Sequence, residues 1–330
     1  MRTHLLGCLA VAYFCLSVVQ GQQNPSLQLL RIITMPNMQG GFNHMSIDAR
    51  RQRLFASAPS NQTLEVVDLR TGQALRSLGG ERPASALYAP EFDQLYVPRG
   101  QNLIVYDGAS LQQIASIDLH SSLDELHYDS RAKELYVGCM GPGQTGIAII
   151  SLPETKLLAK IPLPGKPQGF AVDPGKRRIF ANLPELQQVA IVDLEMRQLL
   201  TPWSLADFQG IAPIGLDEKH HRLFVGARRP AQLVVMDTNS GKIVAQTEID
   251  SDTDDLFYDQ MEQSIYVSCG EGFVDVVRQI DADHYRRAGR IASIRGGRTS
   301  ALSAPLHRFV IGIPARADGS AELRVFRTGK

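Results

Sequence analysis

The chain has 330 residues, 44% of them hydrophobic, and its 34 Lys and Arg residues balance 34 Asp and Glu residues to a formal net charge of zero. A neutral surface argues against bulk nucleic-acid binding, because releasing counterions from phosphates needs a basic field. The length is too great for one ordinary hydrophobic core but suits a closed array of repeats.

The first residues have the layout of a secretory signal peptide. A basic start precedes an apolar stretch over residues 5–19, and a small residue, Gly21, closes the cleavage site. The apolar stretch is short for a membrane-spanning helix, which needs about 20 residues. Cys8 ends a sequence that resembles a bacterial lipoprotein box, but it lies so near the start that lipidation ranks second. We expect residues 1–21 to be removed, residues 22–330 to form one domain without a membrane span, and the protein to be secreted or periplasmic.

A predicted strand at residues 27–35 precedes a motif that returns seven times. Each copy is an apolar run ending in Asp or Pro, a polar turn, and a second run with an aromatic or similarly bulky residue beside a small apolar one. The run-ending residues are Asp48, Pro90, Asp129, Asp173, Asp217, Asp259 and Pro305. They lie 42, 39, 44, 44, 42 and 46 residues apart. A period of this size with strand-like content is typical of propeller blades.

The fourth repeat shows four strands most clearly. Residues 169–173 and 178–182 are β-rich runs on either side of a Pro-Gly turn, and residues 188–193 are a third. Residues 199–202 make a weak fourth strand, where a proline is tolerable because the strand lies at an outer edge. Four strands in about 42 residues match one blade. No segment forms a convincing long amphipathic helix, so the sequence predicts an all-β, seven-bladed β-propeller of four-stranded blades.

Aspartates also recur at the ends of the predicted third strands. They are Asp68, Asp107, Asp193 and Asp237. Their number invites a catalytic interpretation. At strand ends before turns, however, an aspartate is far more often a turn former that accepts backbone N–H groups. We therefore interpret these residues as structural.

The last repeat lacks one strand. It supplies only residues 302–305, 309–313 and 323–326. The missing outer strand is available at residues 27–35, near the other end of the chain. Pairing it with the last blade would close the ring and remove two free sheet edges.

The fourth repeat also carries a family resemblance. The segment from Gly169 to Asn182, with Val189-Ala-Ile-Val-Asp193 after it, resembles the YVTN-type β-propeller repeats of exported bacterial YncE-like proteins. The resemblance extends over essentially the whole mature chain and implies a seven-bladed, extracytoplasmic propeller. Asn survives as the last motif residue in the fourth repeat, whereas Cys or other residues replace it elsewhere. The family has no single activity, so the resemblance implies no reaction.

Two cysteines remain after the leader. Cys139 and Cys269 occupy equivalent positions in repeats three and six. Blades three steps apart in a ring of seven lie almost opposite each other, whereas a disulfide needs alpha carbons within about 7 Å. We expect two buried, unpaired thiols that act as small apolar side chains.

Polar residues gather at the positions five and four before each run-ending residue. In a propeller the innermost strands line an axial channel, so these positions converge at its mouth. The candidate ligand-binding residues are Asn43, His44, Asp124, Glu125, Gln168, Asp254, Asp255 and Ser300, with Ser85 beside them. The carboxylates of Asp124, Glu125, Asp254 and Asp255 face one another and are a candidate site for a divalent cation, Ca or Mg. A solvated polar funnel is the competing interpretation.

Function is less determined than fold. We favour an exported, non-enzymatic binding or scaffold propeller, monomeric, that holds a small polar ligand or a protein partner at the channel mouth or upper loops. The alternative is a metal-dependent hydrolase of lactones or esters, similar to gluconolactonases, which would use the acidic ring to activate water. Asn43 and His44 stand where that class places a first-blade glutamate. The arginine-rich stretch 286–298 is interpreted as an outer strand and turn rather than a phosphate site, and His220 and His221 as surface turn residues.

Overall fold

The computed structural model describes residues 27–141, 143–317 and 319–329. The predicted signal peptide, with Cys8 in it, and the spacer that follows lie outside these residues. The described chain forms seven antiparallel sheets and two short 3₁₀ helices, Pro59–Asn61 and Ala304–Leu306. The prediction of an all-β propeller with seven blades is confirmed.

The first three blades are meanders that run from the innermost to the outermost strand. Blade one comprises β2 (Met45–Asp48), β3 (Arg53–Ala58), β4 (Thr63–Asp68) and β5 (Ala74–Gly79). Blade two comprises β6 (Leu87–Ala89), β7 (Gln94–Arg99), β8 (Asn102–Asp107) and β9 (Gln113–Asp118). Blade three comprises β10 (Leu123–Asp129), β11 (Glu134–Cys139), β12 (Gly146–Ser151) and β13 (Lys156–Pro162).

The next three blades repeat this order. Blade four comprises β14 (Gly169–Asp173), β15 (Arg178–Leu183), β16 (Gln188–Asp193), β17 (Gln198–Leu199) and β18 (Trp203–Ser204). Blade five comprises β19 (Ile214–Asp217), β20 (Arg222–Arg228), β21 (Ala231–Asp237) and β22 (Ile243–Glu248). Blade six comprises β23 (Thr253–Asp259), β24 (Ser264–Cys269), β25 (Phe273–Gln279) and β26 (Tyr285–Ala292).

Blade seven is built from both ends of the described chain. Its strands are β27 (Thr299–Ser303), β28 (Arg308–Ile313), β29 (Ala321–Thr328) and β1 (Leu27–Met35). Strand β1 pairs antiparallel with β29 from Leu27 opposite Thr328 to Met35 opposite Ala321, with a register shift after Leu29. The predicted closure of the ring by the N-terminal strand is confirmed.

The outer edge of blade four differs in detail from the expected single strand. Two-residue segments, β17 and β18, pair with opposite ends of β16, and Pro202 lies between them. Proline has no N–H to donate to β16, so the ladder is interrupted at that point.

The repeated aspartates form turns, as expected. Asp129 ends the innermost strand of blade three and accepts the backbone N–H of Arg131 at 2.9 Å. Asp193 ends the third strand of blade four and accepts the N–H groups of Glu195 and Met196 at 2.9 and 2.8 Å. Each carboxylate thus satisfies turn donors that no strand partner reaches.

The repeated bulky residue of each second strand packs between blades. These residues are fully buried or nearly so: Phe55, Tyr96, Tyr136, Phe180, Phe224, Tyr266 and Phe309. Ring pairs that include one of these residues cross three of the blade boundaries, with centroids 5.9 Å apart for Phe55–Tyr88, 5.2 Å for Phe224–Tyr258 and 5.5 Å for Tyr266–Phe309. The hydrophobic core is therefore a set of layers between sheets, which explains why the motif recurs once in each blade. Cys139 and Cys269 are buried and unpaired, as expected.

Candidate functional site

The innermost strands of the seven blades surround the axis of the ring. Neighbouring strands contact each other all the way round, from β2 through β6, β10, β14, β19, β23 and β27 back to β2. Where these strands begin, a central cavity of about 390 Å³ opens, and each blade supplies at least one lining residue. The cavity therefore depends on closure of the ring.

Most of the residues predicted to meet at the channel mouth line this cavity. Those that do are His44, Ser85, Glu125, Gln168, Asp254, Asp255 and Ser300. Asn43 and Asp124 are not among the lining residues. The Asn43 amide instead donates to the carbonyl oxygen of Ala84, in the neighbouring blade, at 2.6 Å.

His44 and Asp255 form a pair between blades one and six. The Nδ1 atom of His44 lies 2.9 Å from Oδ1 of Asp255, and Oδ2 of Asp255 accepts the backbone N–H of Ser300 at 2.6 Å. Burial lowers the pKa of His44, but the Asp255 carboxylate, and then the charges of Glu125 and Asp124, raise it by more, so that it lies well above 6.5. The ion pair thus fixes the orientation of the His44 imidazole, and Nε2 is the nitrogen that stays available to a ligand.

Glu125 and His127 form a second pair, on strand β10. Nε2 of His127 lies 3.0 Å from Oε1 of Glu125, and Oε2 accepts the backbone N–H of Phe170 in blade four at 3.0 Å. Burial raises the pKa of Glu125, but the adjacent His127 and His44 and the Phe170 N–H lower it by more, and the net shift is downward. The His127 ring also packs on Phe170, with centroids 4.5 Å apart. This carboxylate is ionised and fixed in orientation.

Two arginines hold the third lining carboxylate. Nη2 of Arg228 donates to Oδ1 of Asp254 at 2.9 Å, and Nε of Arg298 lies 3.2 Å from Oδ2. Burial raises the pKa of Asp254, although the charges of His44, Arg298 and Arg228 oppose the rise. Neither arginine is among the lining residues, and both side chains are partly exposed.

Asp124 is half-buried, is not among the residues that line the cavity, and has the most strongly shifted pKa of the four predicted acids. Burial raises its pKa to about 6, the negative charges of Glu125 and Asp254 add to the rise, and His44 and Arg82 oppose it. Its backbone carbonyl accepts a hydrogen bond from the Ser85 hydroxyl of blade two at 2.6 Å.

Several predicted site residues also connect one blade to the next. Asn43 reaches blade two, Ser85 reaches blade three, Glu125 reaches blade four, and Asp255 reaches blade seven. Each bond satisfies a backbone group where the innermost strands begin, which the sheet ladders leave unpaired. These positions are polar partly for a structural reason.

Sequence reasoning missed some lining residues. His127 and Ser46 lie two positions after Glu125 and His44, and the aromatic residues Phe257 and Tyr258 also line the cavity. The sequence signal for His127 and Ser46 was the strand period of two, which places alternate residues on one face. No sequence signal identified Arg228 as a partner of Asp254, because the two residues belong to different blades.

The other polar clusters make contacts within the outer strands and turns of the blades. Most of the arginine-rich stretch falls on outer strand β26 and its following turn, as interpreted, where Arg287 binds Asp275 at 2.7 Å and Arg290 binds Asp250 at 2.7 Å. Its last arginine, Arg298, instead contacts Asp254 of the candidate site. His220 binds Asp217 at 2.7 Å within a turn at the other end of its blade.

The metal interpretation receives no geometric support from the part of the chain that the structure describes. Within it, no group of three or more His, Cys, Asp or Glu side chains is arranged to hold a metal ion. The cation site at Asp124, Glu125, Asp254 and Asp255 stays a prediction. No helix among the described residues is long and apolar enough to cross a membrane.

No protein-family model matches the chain, and no curated protein matches it in sequence. The resemblance to YVTN-type repeats is therefore supported only as a resemblance of fold.

Solved structures share the whole architecture. The chain is similar to a chain in "Crystal Structure of Mitotic Checkpoint Complex", at a TM-score of 0.76 and 14% identity, covering 100% of each chain. It is similar to the RRP9 WD40 repeats at a TM-score of 0.78 and 9% identity, covering 92% of this chain and 100% of that one. It is similar to hydrazine synthase of Kuenenia stuttgartiensis at a TM-score of 0.75 and 14% identity, covering 94% of this chain and 99% of that one. At these identities the similarity shows the fold alone, that of a β-propeller repeat protein.

Proposed function

We propose that the protein is an exported, monomeric, non-enzymatic propeller that binds a small polar ligand in its central cavity. One observation carries the proposal, namely a cavity of about 390 Å³ to which all seven blades contribute. Ligand pockets are commonly about 300–1,000 Å³, with a few placed polar groups among apolar ones. Export rests on the leader-like sequence of residues 1–21.

The polar groups of the cavity support binding because they are already oriented. His44, Glu125, Asp254 and Asp255 each have a fixed protein partner. A site whose groups are held in place loses less conformational entropy when a ligand binds. The same partners hold these carboxylates as hydrogen-bond acceptors, and we propose binding rather than hydrolysis.

The test is to block the cavity and compare the bound species. Gln168 is exposed and lines the cavity, so Gln168→Trp places a large ring at the mouth without disturbing the core. Gln113→Trp, on the exposed outer strand β9, is the matched control. Native mass spectrometry of protein from its own host should show a small bound species in the wild type and the control but not in Gln168→Trp.

Two results would contradict the proposal. A bound species that persists in Gln168→Trp lies outside the cavity. Turnover of a lactone or ester that requires added Ca²⁺ or Mg²⁺ and is lost in Gln168→Trp would replace binding by the hydrolase alternative.

A further inference from the structure

We propose that the ligand of the central cavity is a neutral, polyhydroxylated molecule about the size of a monosaccharide. This inference rests on the proposed binding function and names the chemical class of the ligand. It follows from how charge is distributed around the cavity, from the hydrogen-bonding capacity that remains there, and from the shape and apolar content of the wall.

Each carboxylate at the wall has protein partners. Asp255 faces His44, Glu125 accepts hydrogen bonds from His127 and the Phe170 N–H, and Asp254 is held by two arginines. A metal ion or organic cation binds best to carboxylates that lack a positive partner, and here it would meet the positive charge of the two arginines that contact Asp254. An anion would meet three carboxylates. A neutral ligand avoids both penalties.

The paired groups retain hydrogen-bonding capacity. The two oxygens of Asp255 each have one protein partner, and so do the two oxygens of Glu125 and of Asp254. A carboxylate oxygen offers about two acceptor positions, so each retains about one. Acceptor positions held in fixed directions suit a ligand with several hydroxyl groups, since each hydroxyl donates one hydrogen bond.

Ring nitrogens and an amide stand beside these acceptors. The Nδ1 atom of His44 and the Nε2 atom of His127 bind carboxylates, which leaves the opposite nitrogen of each ring for a ligand. Gln168, which is exposed at the wall, adds an amide with both donors and acceptors. A hydroxyl group can accept from His44 or Gln168 while donating to a carboxylate, whereas an ammonium group or a metal ion cannot accept.

The wall also has an apolar side of suitable size. Phe257 is partly exposed and lines the cavity, which offers an apolar surface for the C–H face of a sugar ring. The cavity of 390 Å³ equals about 13 water volumes of roughly 30 Å³ each. This is enough for one six-membered ring with its hydroxyl groups.

The chain offers a matched pair of variants for the charge argument. Asp254 and Asp252 both contact Arg228 and Arg298, but only Asp254 lines the cavity. Asp254→Asn therefore removes a negative charge at the wall and leaves the two arginines behind it. Asp252→Asn removes the same charge from the same arginines outside the wall.

The experiment is isothermal titration calorimetry of the wild type, both Asn variants and Gln168→Trp. The probes are D-glucose, D-galactose, D-mannose, D-xylose and myo-inositol, with CaCl₂, MgCl₂, choline chloride and sodium citrate as charged comparisons. We expect at least one polyol to bind the wild type. Asp254→Asn should weaken it about tenfold or more and bring in citrate binding, because a charge-assisted hydrogen bond is lost and positive charge is exposed. Asp252→Asn should bind within about twofold of the wild type.

Each contrary outcome has one meaning. No heat from any polyol at millimolar concentration overturns the ligand class, and so does equal weakening by both Asn variants. A charged probe that binds the wild type but not Gln168→Trp overturns the ligand class while leaving the cavity as the binding site. Polyol binding that survives in Gln168→Trp overturns both the ligand class for this cavity and the proposed function.

Discussion

Replacing Ile33 by Ala tests whether strand β1 closes the ring. Ile33 is 5% exposed and packs in the layer between blades seven and one, opposite Leu323 of β29. Its neighbour Ile32 is 48% exposed on the same strand. Both residues are isoleucines of strand β1 and both pair with β29. They differ in the face of the sheet on which the side chain lies.

The expected magnitudes follow from that difference. Truncating a buried Ile to Ala costs about 2–5 kcal/mol, from lost transfer free energy and the cavity left behind. A surface change of this kind usually stays within about 0.5 kcal/mol. At about 2 °C per kcal/mol for a domain of this size, Ile33→Ala should lower Tm by about 4–10 °C and Ile32→Ala by about 1 °C.

The assay is urea and thermal unfolding followed by circular dichroism. Equal, small shifts for both variants would refute the closure, because they would mean that β1 is not part of the cooperative unit. Deleting residues 27–35 should be more severe, since it also removes the buried Leu27 and Met35. Together these three side chains represent about 5–9 kcal/mol, comparable with the whole free energy of unfolding of a typical domain.

Three further outcomes are expected. Burial raises the pKa of Asp124 to about 6, so its folded form holds a proton more tightly than the unfolded chain, and the stability it contributes below about pH 4 is lost as pH rises through 6. Asp124→Asn should therefore raise the free energy of unfolding at pH 7 by up to about 3 kcal/mol and change it little at pH 4, and a uniform effect at both values would contradict this. Asn182→Ala removes the amide that donates to the buried carbonyl of Ala212 and should cost about 1–3 kcal/mol in urea unfolding; no loss would mean that this bond between blades is dispensable. Cys139 and Cys269 should react with a thiol reagent only in denaturant, and unfolding should not depend on reductant, whereas rapid labelling of the native protein would contradict their burial.

Much of the fold was readable from the sequence because a blade is a local unit. Apolar runs, Asp-ended strands and turn residues recur every 40 or so positions, and each reports pairing between segments that are neighbours in the chain. Asp129 and Asp193 could be assigned to turns for the same reason. The closure by residues 27–35 was also predictable, because the last repeat lacked one strand and residues 27–35 could supply it. The sequence predicted a single outer strand for blade four and did not show that this strand divides into two short segments around Pro202.

The candidate site could be predicted only as a location. Aligning the repeats brought His44, Glu125, Asp254 and Asp255 to one end of one channel, since equivalent positions in a ring face one axis. The alignment could not say that His44 pairs with Asp255 of blade six, or that Arg228 neutralises Asp254, because such pairs depend on distances across the ring. The residue pattern therefore defined seven blades and a polar mouth. The folded ring decided which polar groups contact one another, because those contacts depend on distances that all seven blades set together.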